Sequence, residues 1–133
     1  ADRGARPART QVNARSLCGE CLMTSDLAES DWRLFRQLRE VTPERLCRRA
    51  LEEVAVVARD APRTYHERYL DVFRLLKERD QELAHAFNDP RRSRMIRQLA
   101  AMHALGLLEP GELARFTPRT RTTIVALAEA QAR

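Results

Sequence analysis

Five prolines, at 43, 62, 90, 110 and 118, fall at the edges of stretches whose apolar residues recur every three to four positions. Proline has no amide hydrogen and a fixed φ, so it fits the first turn of a helix and breaks a helix interior. Prolines and periodicity together divide the chain into five or six helices. No segment alternates with period two. Aromatic residues make up only 5% and there are four glycines, which disfavours a sheet fold and a glycine-rich phosphate loop. At 133 residues, 44% hydrophobic and 32% charged, the chain has room for one core. The expected fold is all-α: a single-domain bundle of about five helices over residues 16–133, with one long central helix. Residues 1–15 hold four arginines, a proline and almost no large apolar side chain. They read as a flexible basic N-terminal arm.

Within the bundle, Leu27, Leu34, Phe35, Leu38 and Val41 place a helix in 25–41, with Ser25 or Ser30 as its cap and Trp32 at the core edge. A shorter helix is expected around 14–22. Thr42-Pro43-Glu44 has the form of a helix restart, and the helix it opens runs to about 59 with a wide apolar face that includes Cys47. Pro62 opens the longest element, 62–88, about 40 Å at ~1.5 Å per residue. In it Tyr69, Leu76 and Leu83 recur every seven residues, and Tyr65, Val72, Arg79 and Ala86 form a second register broken by arginine. Such a seam suits an intrachain bundle or a homodimer interface. Asn88-Asp89-Pro90 reads as cap, cap and first helical residue of a helix over 90–105 that Gly106 ends. Thr117-Pro118 starts the last helix.

The charge is uneven. The net charge is +5, and all but one of the 24 basic residues are arginine, Lys77 being the exception. Both ends are basic and the middle is mildly acidic. Arg91, Arg92, Arg94 and Arg97 crowd the expected start of a helix, where the dipole favours anions over cations. With Arg115, Arg119 and Arg121 they are the candidate contacts for an anion, a nucleic-acid backbone or an acidic partner. A helix-turn-helix fitted over 93–127 places Met102 where a small residue is needed and starts its second helix late, so base-specific reading is not expected.

Chemistry-bearing motifs are sparse. No HExxH, GxSxG, P-loop or calcium-loop pattern occurs. Cys18 and Cys21 form a lone CxxC, and Cys47 leaves an odd count, which is weak as a metal site and poor as a disulfide framework. No cofactor is expected. No apolar run reaches ~20 residues and the N-terminus lacks a signal-peptide core, so a cytoplasmic chain without a membrane segment is expected. The expected function is non-enzymatic: an interaction or regulatory protein working through helix-mediated, homodimeric contacts at Tyr69, Leu76 and Leu83. A nucleic-acid-binding accessory role for the basic segments is the alternative.

Overall fold

The computed structural model describes residues 27–133. The expected arm, the helix at 14–22 and the pair Cys18 and Cys21 lie outside the described residues. Those described form five α-helices and one 3-10 turn, with no strand among them. The helices are α1 (Glu29–Ala58), α2 (Tyr65–Phe87), α3 (Met95–Ala104), α4 (Pro110–Ala114) and α5 (Pro118–Gln131), and the turn is Arg92–Arg94. The all-α bundle is as expected.

Three boundary expectations fail, the largest at Thr42-Pro43. Thr42-Pro43 does not restart a helix; α1 runs through Pro43 for 30 residues, about 45 Å. It, not the 62–88 segment, is the longest element. Pro43 cannot donate to the carbonyl of Arg39, a loss of ~3 kcal/mol in an isolated helix. Tertiary packing outweighs it. Thr42 is fully buried, donates its hydroxyl to the Leu38 carbonyl at 2.7 Å, and meets the Met102 sulfur at 3.9 Å. Leu38 and Leu46, either side of the proline, are also buried. At the other end of α1, Ala28 rather than Ser30 takes the N-cap position, with its carbonyl accepting from the amides of Asp31 and Trp32.

α2 begins at Tyr65 rather than Pro62, because Thr64 supplies a stronger start. The Glu67 amide donates to the Thr64 hydroxyl at 3.1 Å, and the Thr64 amide donates to the Glu67 carboxylate at 2.8 Å. This reciprocal box satisfies two helix-end donors, and it holds the Glu67 carboxyl below the usual range. At the far end, Asp89 adopts φ 54° and turns the chain. Pro90 lies outside any helix and Arg91 is extended, so the expected helix over 90–105 begins only at the 3-10 turn and Met95. The turn is held by Gln98, which donates to the Asn88 carbonyl at 2.6 Å, and by Arg39, which donates to that of Phe87 at 2.7 Å.

Gly106 ends α3 as expected, at φ 69°. The Gly106 amide donates to His103 and the Leu107 amide to Met102, the paired bonds of a left-handed helix stop. The core gathers Phe35 and Leu38 of α1, Phe87 of α2, Met95, Leu99 and Met102 of α3, Leu107, Phe116, and Ile124 of α5. α3, α4 and α5 thus form a head packed on the half of the α1–α2 hairpin nearest the chain ends.

Candidate functional site: two faces of one hairpin

Residues four and three apart in turn share one line along a helix. On α1 the line Asp31, Phe35, Leu38, Thr42, Arg45, Arg49 faces the head, and each polar member makes a contact there. Asp31 is buried and accepts from the Thr117 amide at 3.0 Å and from the Thr117 and Thr120 hydroxyls at 2.6 Å each. It thereby caps α5 from a residue 86 positions away. Thr117, the expected cap, has no capping bond of its own; it serves as a donor to Asp31. Arg45 donates to the Leu107 carbonyl at 2.9 Å and grips both oxygens of Glu112. That hydrogen bond holds the Glu112 carboxyl below its usual range. Arg49 donates to the carbonyls of Leu105 and Gly106 at the end of α3.

These arginines have a common task. The last carbonyls of a helix lack partners and carry the negative end of its dipole. Arg39 serves the end of α2, Arg49 that of α3, and Arg68 that of α1, through the Ala58 carbonyl at 2.8 Å. Much of the arginine excess is therefore structural.

A second line on α1, Cys47, Leu51, Val54, Ala58, runs on the opposite face to the head. Beside it α2 carries Tyr65, Tyr69, Phe73 and Leu76. Tyr65 is 85% exposed, Tyr69 67%, Phe73 59%, Leu76 44%, and Leu51 65%. Between the helices lies an apolar groove of about 310 Å³, lined by Leu46, Cys47, Ala50 and Leu51 on one side and Leu76, Arg79, Asp80 and Leu83 on the other. Cys47, read as part of a packing face, is exposed at the groove. Of the heptad seam, Leu83 packs partly into the core, while Tyr69 and Leu76 are exposed. Arg79 breaks the second register because it crosses to α1, bonding Glu53 at 2.8 Å as well as Glu82 at 3.0 Å. The bond to Glu53 raises its pKa further. Asp80 makes no hydrogen bond or ion pair with the described residues.

The arginines singled out as anion contacts are dispersed in their roles. Arg91 and Arg94 both pair with Asp89, at 2.9 and 3.3 Å. Arg92 holds Glu29 at 2.8 Å and stacks over Trp32, 5.1 Å from the ring centre. All three precede α3 rather than occupying its first turns. Arg97 is exposed on α3. Arg115 ends α4, Arg119 stands in the first turn of α5, and Arg121 donates to the Ala114 carbonyl at 3.3 Å.

Among the described residues no group of three or more His, Cys, Asp or Glu is placed to hold a metal, and no helix is long and apolar enough to cross a membrane. Sequence reasoning missed two residues of the open face. They are Leu51 and Asp80. Their signal was the register between two helices, which periodicity within one helix does not carry. Comparison with known protein families, with curated proteins and with solved structures finds no match for this chain.

Proposed function

We propose that the protein is a non-enzymatic interaction module that self-associates through the open face of its hairpin. The observation behind this reading is the continuous row Tyr65, Tyr69, Phe73, Leu76 with Leu51 beside it, all large, apolar or aromatic, and 44–85% exposed. Single exposed apolar residues are ordinary, but a contiguous patch of this kind marks a contact surface. Tyrosine suits such a surface because it supplies area with little side-chain freedom to lose. The nucleic-acid alternative has weaker support: three of the four arginines at 91–97 already face carboxylates, and a paired guanidinium has less to gain from a phosphate.

Sedimentation from about 1 to 100 µM tests the reading, a range that spans ordinary dimer affinities. The expected outcome is a concentration-dependent dimer, which Leu76→Asp dissociates by burying an unpaired carboxylate. A monomer throughout that range sinks the proposal. Anisotropy with a random duplex across a salt series examines the alternative, which needs binding that weakens by about 0.9 in log–log slope per phosphate contacted.

A further inference from the structure

We infer that the open face is covered by a second copy of this chain in one register: antiparallel, with Phe73 of each copy against Leu76 of the other. The inference rests on the self-association reading and adds its geometry. Three observations carry it.

The first is area. The exposed parts of the five large side chains amount to roughly 600 Å² per copy, taking ~150–250 Å² for each aromatic. A stable interface needs ~800 Å² per partner. The row and its flanks meet that need when paired with a surface equally apolar, as a second copy provides.

The second is a shared centre. A two-fold interface pairs residue i with j and j with i, so each helix must read the same from either direction about the axis. On α1 the open line Cys47, Leu51, Val54, Ala58 is centred between positions 52 and 53. On α2, Tyr69, Phe73, Leu76 and Asp80 are centred between 74 and 75. The two centres lie at nearly one level across the hairpin: the groove lining is centred between 48 and 49 on α1 and between 79 and 80 on α2, and the centres stand about four residues on from the one and five back from the other. One axis therefore serves both helices.

The third is complementarity about that axis. Leu51 meets Val54 of the second copy, and Cys47 meets Ala58. Tyr65 meets Ala84, a large side chain against a small one. Tyr69 meets Asp80, so a carboxylate without a partner among the described residues of its own chain faces a phenol donor. On α1 the head lies along the line opposite to the open one, on α2 the open line enters the core only at Leu83 and Phe87, and the antiparallel arrangement sends the two heads to opposite ends. The product is a four-helix bundle built from two hairpins.

The test uses the full chain with Cys18, Cys21 and Cys47 replaced by alanine and one spin label at Ala61→Cys, in the exposed hairpin loop. The antiparallel register places the two labels about 35 Å apart, from ~1.5 Å per residue on either side of the axis. A parallel pairing would bring them within about 20 Å, given ~10 Å between packed helices. A charge exchange fixes the register. Tyr69→Glu should weaken the dimer at least about tenfold by setting two carboxylates together, and adding Asp80→Arg should restore most of that loss. Positions 69 and 80 are about 16 Å apart along one helix, so rescue requires the second copy. A label separation near 35 Å with rescue supports the inference. A dimer with short separation, or without rescue, overturns the register and leaves self-association standing. A monomer by sedimentation of the unlabelled wild type overturns both.

Discussion

The two halves of the hairpin are built from the same two helices and have opposite fates. Near the chain ends, α1 gives Phe35, Leu38 and Thr42 to a core in which each is 0–3% exposed. Beyond Arg49, whose side chain still reaches the carbonyls that end α3, the same helix turns to α2, as Glu53 does to Arg79, and Leu51 is 65% exposed. An amphipathic helix buries its apolar stripe against another layer. The first half has that layer in α3 and α5; the second presents a comparable stripe with no layer over it. Polar groups follow the same division. In the packed half they are committed to named partners, as Asp31 is to Thr117 and Thr120. In the open half Asp80 and the two tyrosine hydroxyls have none among the described residues.

The contrast is sharpest for large-to-small substitution. Phe35→Ala should cost about 3–5 kcal/mol through lost burial and an unfilled cavity. Leu51→Ala should change monomer stability by less than about 0.5 kcal/mol, since most of that side chain already meets solvent. Thermal melts of the two variants at a concentration that keeps the chain monomeric measure the difference. Equal costs would mean that the open half is packed in the monomer, and the division would fail.

Asp31→Ala should have the next largest effect, about 2–3 kcal/mol. It removes one buried carboxylate and leaves the Thr117 amide and the Thr120 hydroxyl without their acceptor, while the Thr117 hydroxyl keeps only its 3.1 Å bond to Thr120. Denaturant unfolding should show the loss, and amide exchange should show it concentrated at the start of α5. A loss below ~0.5 kcal/mol would place the cap among solvated surface contacts.

The smallest effect concerns Arg45 and Glu112, on the packed side. The Glu112 carboxyl is held below its usual value by the Arg45 hydrogen bond. A group whose folded pKa is depressed contributes stability above its unfolded pKa and loses it as pH falls through the folded pKa. The Arg45 side chain is 33% exposed, so solvent screens the pair and the contribution at pH 7 is about 1 kcal/mol. Glu112→Gln should therefore lower stability at pH 7, and the gap from wild type should close as pH drops below about 4. A gap that does not narrow in acid would assign the effect to packing rather than charge. Leu76→Asp should leave this acid profile unchanged in the monomer, because it lies on the open half.

The helical class was legible because each helix advertises itself locally, through apolar periodicity and Pro and Gly punctuation. The open stripe was half legible. Tyr69 and Leu76 declared a seam by their seven-residue spacing. Whether the chain covers that seam with its own α3 and α5 or leaves it bare depends on where the head docks, which periodicity does not encode. The arginines were legible as charge and not as caps, because a helix-end carbonyl and the guanidinium that meets it are 48 positions apart for Arg39 and Phe87, and 56 for Arg49 and Leu105.

By itself the sequence determined what each residue's neighbours along the chain can decide: the helical class, the stop at Gly106 where left-handed backbone is required, and one α2 stripe too apolar for solvent on every side. Only the tertiary structure decided what depends on partners distant in sequence. It carried α1 through Pro43, since burying Thr42, Leu38 and Leu46 together outweighs one lost backbone hydrogen bond. It made Asp31, in the first turn of α1, the cap of a second helix. It also decided which of two apolar faces on α1 meets the head and which stays open, because the head has side chains complementary to one line, Asp31 to Arg49, and to no other.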